Sequence, residues 1–246
     1  MEQPQFSRDG WTCVQCLSCG MRYLSEAPAY AALSETLAWS KQFSRETKAR
    51  KRREPMMAFI DQKTRWRLRL FRDNEWEYLL KEVPEGRVLD VGCSARNNLP
   101  PAYTPYGIEI AKDAAAIADA AMQKVGGRAV HAPAIDGLDQ FADGFFDGMV
   151  MRSYIEHEAE PKAVLSKAHA KLRNGGVIYV KAPNFGTINR MVRGVNWCGF
   201  RFPDHLNYFD VTRMRKLAAA TGFKLKLKNT FSRLTNDNFH AFLIKV

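Results

Sequence analysis

The sequence predicts an α/β domain built on a doubly wound, mostly parallel sheet. Three observations predict it. The run Arg87-Val88-Leu89-Asp90-Val91-Gly92-Cys93 is short, apolar and β-branched, enters through Pro84-Glu85-Gly86 and stops at a glycine. That is the pattern of a buried strand ending in a tight turn. Nineteen residues after Asp90, a second such run, Tyr106-Gly107-Ile108-Glu109-Ile110, ends on another acid. From there strand and helix patterns alternate, and parallel strands joined by helical crossovers wind into one sheet. Ligands of such sheets bind beyond the carboxyl ends of the strands. A glycine turn open to close approach, with an acid about twenty residues on, is the spacing that holds a nucleotide ribose.

The elements follow in order. Residues 29–39 are helix-prone, and 41–53 are densely charged up to the break at Pro55. Trp66, Leu68 and Leu70 alternate with Arg65, Arg67 and Arg69, a period of two that leaves strand and helix both open. Residues 75–82 are expected as a helix with Trp76, Leu79 and Leu80 turned toward the sheet, ended by Pro84. After the second strand, 113–124 is an alanine-rich helix stopped by Gly126-Gly127. Strands are expected at 128–131 and at 145–151, the latter after the turn Asp143-Gly144. Pro161 opens a helix whose inward face is Val164, Leu165, Ala168 and Leu172, closed by Gly175-Gly176. A fifth strand covers 177–181. Asp210 caps a helix over 212–221 that Gly222 ends. Residues 223–228 and 239–245 form the last two strands, as an antiparallel pair.

The length of 246 residues suits one α/β domain with an appendage, and 46% hydrophobic with 26% charged residues is ordinary globular composition. No apolar run approaches membrane-spanning length and the first residues lack a signal-peptide pattern, so the expectation is a cytoplasmic protein. The net charge of +11 is uneven: residues 41–72 carry twelve Lys and Arg against three acids. Such a block is either an electrostatic footprint for nucleic acid or anionic membrane, or a solvated helical face with linker. Five cysteines, two of them isolated at Cys93 and Cys198, exclude a disulfide framework. Cys13, Cys16 and Cys19 have the C-x2-C-x2-C spacing of a metal-binding turn. Tetrahedral zinc needs a fourth ligand, which distant His131 or Cys198 would have to supply, so zinc is the less favoured reading.

Residues 85–246 resemble the class I S-adenosylmethionine-dependent methyltransferases. The motifs are Val88-Leu89-Asp90-Val91-Gly92-Cys93, Tyr106-Gly107-Ile108-Glu109-Ile110, Phe146-Asp147-Gly148-Met149-Val150-Met151 with Glu156-His157, and Leu172-Arg173-Asn174-Gly175-Gly176. Phe202-Pro203-Asp204-His205-Leu206-Asn207-Tyr208-Phe209 resembles a loop of a bacterial subgroup whose members often carry an N-terminal cysteine knuckle, of which Cys19-Gly20-Met21 looks like a remnant. The resemblance implies a Rossmann-like sheet of seven strands with the last antiparallel. It divides the chain into a cysteine-knuckle and basic helical extension (1–83) and a methyltransferase domain (84–246).

The resemblance also implies roles. Gly92 with the backbone of Cys93 and Ser94 approaches the methionine part of the cofactor, and Asp90 orients its ammonium. Glu109, followed by Ile110, accepts from both ribose hydroxyls. Ala134 and Ile135 lie along the adenine, while Met151 and Arg152 frame the sulfonium. One position departs: Ser94 stands where the family usually has a second glycine, and the following residues 95–101 are poor helix material. A shortened first crossover helix is expected. Acceptor-side candidates are His157, His205 and Tyr208, the histidines as bases where the acceptor must lose a proton. The aromatic and arginine-rich segment 184–209 is expected as a lid or an extra packing layer. The implied function is methyl transfer to a small-molecule or glycan-like acceptor. The competing readings are an RNA methyltransferase using segment 41–72 and a non-catalytic cofactor-binding or scaffold protein.

Overall fold

The computed structural model describes residues 1–28, 48, 49, 51–56, 59, 75–228, 230 and 234–246. The alternating run at 65–70, the helix-prone run at 29–39 and most of the basic segment lie outside the described residues. Ten strands are described: β1 (Cys13–Gln15), β2 (Arg22–Leu24), β3 (Gly86–Val91), β4 (Tyr103–Glu109), β5 (Arg128–His131), β6 (Phe146–Arg152), β7 (Leu172–Pro183), β8 (Asn207–Tyr208), β9 (Phe223–Leu227) and β10 (Asn238–Lys245). The helices are α1 (Glu75–Glu82), α2 (Lys112–Gln123), α3 (Ala134–Asp139), α4 (Pro161–Lys171), α5 (Ile188–Arg193) and α6 (Val211–Ala220).

Seven strands form the main sheet in the order β5-β4-β3-β6-β7-β10-β9, with β10 antiparallel to both neighbours and the other pairings parallel. The expected strands are all present, the fifth extended to span Leu172–Pro183. The expected terminal pair is antiparallel, and Asp210 caps α6 by accepting from Arg213 N. Side chains alternate across the pleat. Leu89, Val91, Ile108, Met149, Met151, Ile178 and Val180 face α3, α4 and α6, while Val88, Val150, Val177, Tyr179 and Phe242 face α1. Leu79 of α1 is fully buried on that second face, with Trp76 and Leu80 packed beside it. α2 lies on the same side, where Cys93, Ala118 and Met122 form a small cluster. A Cβ on Gly107 would stand 2.6 Å from Cys93 Sγ and 3.1 Å from Met122 Cε, so this glycine makes the room for both.

Between β3 and β4 the crossover contains no helix at all. The expected shortening is complete, because Pro100 and Pro101 lack the N–H groups a helix interior needs. Leu99 is buried among Val88 and Tyr103 in the space left open. Among the described residues no helix is long and apolar enough to cross a membrane.

A second, three-stranded antiparallel sheet, β1-β2-β8, ties the N-terminal residues to segment 184–209. Between them sits a separate core of Cys13, Leu24, Phe185, Trp197, Phe200, Leu206 and Tyr208, with Phe6 and Phe202 against it. The rings meet edge-on or tilted at 4.8–6.0 Å for the pairs Phe200–Tyr208, Phe200–Trp197 and Phe200–Phe185. Trp197 Nε1 donates to Asp237 Oδ1 at 2.6 Å. Segment 184–209 is therefore a packing layer. Phe200 is its centre, and Phe200→Ala should cost about 3–5 kcal/mol in urea unfolding and expose residues 1–28 to limited proteolysis while the main sheet keeps its circular dichroism.

Candidate active site

The site grows from the pleat. Asp90 pairs in register with Gly107 and Val150, and Arg152 with Lys181. With a side-chain period of two, Asp90, Glu109, Arg152 and Lys181 all fall on the α1 face, at the carboxyl ends of four adjacent strands. At the end of β3 the chain turns sharply. Gly92 has φ +75°, and its N–H donates to Ile108 O at 2.8 Å. Ser94 is left-handed too, at φ +57°. Its N–H donates to Glu109 Oε2 at 2.8 Å, and Ala111 N–H donates to Glu109 Oε1 at 2.9 Å. An ionised carboxylate offers about four lone-pair sites, so each oxygen of Glu109 keeps one for a hydroxyl donor.

Asp90 is buried at 4% exposure. Burial pushes its pKa up to about 7, with Arg152 pulling it down and Glu109 pushing it further up. Arg152 also reaches α1. It lies 5.3 Å from the Trp76 ring and 3.9 Å from Glu75 Oε2, and Lys181 Nζ donates to Glu75 Oε1. The row thus continues Asp90, Arg152, Glu75, Lys181, with alternating charge. Glu75 and Lys181 escaped the sequence reading. Lys181 carried a signal, being polar at the carboxyl end of a predicted strand, but Glu75 precedes that strand system and only the packing of α1 brings it in.

After β6, Ser153 is left-handed at φ +51° and a 3-10 turn spans Ile155–His157. Tyr154 lies across the glycine turn: a Cβ on Gly92 would sit 3.3 Å from Tyr154 Cδ2. Its hydroxyl donates to Glu158 Oε2. Glu156 is 1% exposed. His157 Nδ1 stands 2.7 Å from Asp204 O and 3.3 Å from Asp204 Oδ1, and His205 Nδ1 stands 2.8 Å from Gly199 O. The two imidazoles meet edge to face at 4.7 Å. Burial drives His157 down, but Asp204 and Glu156 outweigh it and leave its pKa raised, while burial and the His157 charge hold His205 well below the ordinary range.

The sequence pattern of a family described as a methyltransferase domain matches residues 61–227. The chain belongs to that family. The chain has the fold of two solved S-adenosylmethionine-dependent enzymes. One, from Archaeoglobus fulgidus, is 16% identical, with TM-score 0.52, covering 77% of this chain and all of that one. The other, from Thermotoga maritima, is 18% identical, with TM-score 0.54, covering 76% of this chain and 97% of that one. An uncharacterized protein of Methanocaldococcus jannaschii is 29% identical over 108 residues, 44% of this chain. The chain spans about half (49%) of that relative's length.

The sequence-selected residues divide in two. Asp90, Gly92, Ser94, Glu109 and Arg152 come together at the strand ends. Cys93 and Met151 reach the same place only through their backbone. The Cys93 thiol packs under α2, where burial raises its pKa, and the Met151 side chain is in the opposite core. Ile110 follows Glu109 directly. Ala134 and Ile135 open α3 at the end of β5 and pack into the main core. His157 and His205 are in contact, but Tyr208 lies in the aromatic core of the small sheet, with its hydroxyl buried and unpartnered.

The thiols behave differently from a metal knuckle with three sulfurs. Cys13 is buried in the aromatic core and Cys19 exposed, and Cys16 Sγ is 3.1 Å from Ser18 Oγ. Among the described residues, the three sulfurs do not come within ligand distance of one another. A depression of about 270 Å³ lined by Tyr106, Gly127, Arg128, Phe141 and Phe145 lies at the amino end of β5, away from the strand ends that carry the acids.

A left-handed conformation costs a residue with a Cβ about 1 kcal/mol. Ser94→Gly should therefore stabilise the protein by roughly that amount in chemical denaturation, and leave the Glu109 carboxylate gripped, because the bond from position 94 comes from the backbone.

Proposed function

We propose that this chain transfers the methyl group of S-adenosylmethionine to a small-molecule or glycan-like acceptor. One observation carries the reading. A left-handed glycine turn stands between two acids, Asp90 and Glu109, at the carboxyl ends of adjacent strands on one face. The carboxylate of Glu109 has a free lone-pair site on each oxygen, suited to the two ribose hydroxyls. Asp90 stands one strand over, suited to the ammonium of the methionine part. Gly92 leaves the backbone open between them, with the Tyr154 ring as its lid.

Held by Glu109, Asp90 and the turn at Gly92, the cofactor would supply an already activated methyl for a lone pair of the acceptor. The protein's part is alignment and exclusion of water. On the acceptor side stand Arg152 and Lys181, joined by Glu75 and Trp76, and the turn carrying His157. Cations and an aromatic ring facing the transfer point favour an anionic or sugar-linked acceptor. The packed aromatic layer of 184–209 favours a small one over a polymer. His157, partly exposed and hydrogen-bonded to Asp204, is the side chain there best placed to meet an acceptor proton.

Two measurements test the cofactor site. Glu109→Ala should weaken S-adenosylmethionine binding by about 2–3 kcal/mol in calorimetry with thermal unfolding little changed; unaltered affinity removes the ribose assignment. Folded Asp90 holds its proton more tightly than the unfolded chain does. Its contribution to ligand-free stability is therefore full below about pH 4 and is lost as pH rises to about 7. An ammonium ligand needs the ionised form. Affinity at pH 6 should thus be about tenfold below its value at pH 7.5, with proton release seen as buffer-dependent heat, and Asp90→Asn should abolish the difference.

A further inference from the structure

We propose that Glu156, His157 and His205 form a binding site for a divalent transition-metal ion of the zinc class, with an open coordination position. Each of the three offers one ligand atom, and these atoms lie within 4.8 Å of one another. Two imidazoles and a carboxylate are the donor set of open three-ligand zinc sites.

The imidazoles are already set for this task. Asp204 O and Gly199 O can only accept, so the Nδ1 atoms 2.7 and 2.8 Å away are the donors. In its neutral form each ring then carries its lone pair on Nε2. A metal-binding histidine is oriented in this way by a carbonyl on its other nitrogen. Glu156 gives the independent sign. It is 1% exposed, its Oε2 has no hydrogen-bond partner, and its Oε1 is 3.9 Å from His157 Nε2. A buried carboxylate oxygen without a partner is costly. The nearby guanidinium of Arg201 is 3.0 Å from Asp204, the acid behind His157. The backbone holds the two ligand segments together, since Leu206 N donates to Glu156 O at 2.8 Å.

His157 is the ligand partly open to solvent, at 21%, so further coordination positions are reached from its side. If the cofactor reading above holds, that opening lies on the same turn as Tyr154 and would take an acceptor oxygen. The metal-binding claim itself does not need that reading. It places a metal at the turn after β6 and not at the cysteine turn, where the sequence left zinc the less favoured reading.

The test uses the full chain stripped with a chelator. Zn²⁺ is titrated by calorimetry and Co²⁺ by visible absorption. One metal ion per chain is expected, with a Co²⁺ spectrum of nitrogen and oxygen ligation lacking a thiolate charge-transfer band. The double variant Cys16→Ser/Cys19→Ser should bind as the parent does. Glu156→Gln and, at the more exposed position, His157→Gln should each weaken binding at least about tenfold, with thermal unfolding run alongside. No uptake by the parent chain overturns the proposal, as does uptake lost in the double cysteine variant or a thiolate spectrum. Absence of uptake would leave an imidazolium of His157 between Asp204 and Glu156 as the occupant of the site. S-adenosylmethionine titrated into the same stripped protein keeps the two ideas apart: cofactor bound without metal sinks only this one, and metal bound without cofactor sinks only the other.

Discussion

The grip of two backbone N–H groups on the Glu109 carboxylate is the contact on which the site depends. It joins the end of β3 to the end of β4, because Ser94 follows one strand and Ala111 the other. No helix covers the β3–β4 crossover, so the turn at 92–94 is not held by the first turn of a helix. The carboxylate does that work instead. It keeps Ser94 in a conformation its Cβ disfavours, and it places an acid at the carboxyl edge of the sheet.

The turn carrying His157 is organised from further away. The strands of residues 1–28 lie outside the main sheet. They pair with β8 and bury the aromatic core that fixes segment 184–209. That segment carries Asp204 and His205, whose backbone and ring set the orientation of His157. A hairpin at the start of the chain therefore positions a side chain after β6 through three layers of packing. A conformational change in the hairpin would be felt at His157 before it was felt at Glu109, whose supports lie in the turns that directly follow β3 and β4.

Legibility in the sequence followed range. Asp90, Gly92 and Glu109 were readable because a strand, a turn and a spacing of nineteen are local facts, and parity then assigns the face. The alternation of elements gave the sheet, including the antiparallel terminal pair. What escaped was tertiary. Met151 belongs to the right strand end, but parity turns its side chain into the opposite core. Tyr208 sits in a segment that looks like an acceptor loop, yet pairing with β2 buries it. Glu75 and Tyr154 have no motif, and they enter the site only because α1 packs on the sheet and because a glycine leaves room for a ring. The cysteine spacing was visible and the histidine pairing was not, since 48 residues separate His157 from His205 and nothing local announces that both Nδ1 atoms face carbonyls.

The ligand-free site holds several costs at once. Ser94 and Ser153 are left-handed, Asp90 is buried with a pKa near neutrality, and a Glu156 oxygen has no partner. Such features persist where the surrounding structure over-determines them. Here the overdetermination is visible: two cores sandwich the strands from both faces, and backbone hydrogen bonds fix both turns. Each cost also has the same remedy. A cationic ammonium beside Asp90 restores its charge, and a metal ion, or a proton on His157, completes Glu156. Two buried acids thus stand at neighbouring points, while Arg152 and Lys181, neutralised in part by Glu75, carry the opposite sign beside them. Charge alternates along the row, so a cation and an anion meeting this edge of the sheet would find different places there.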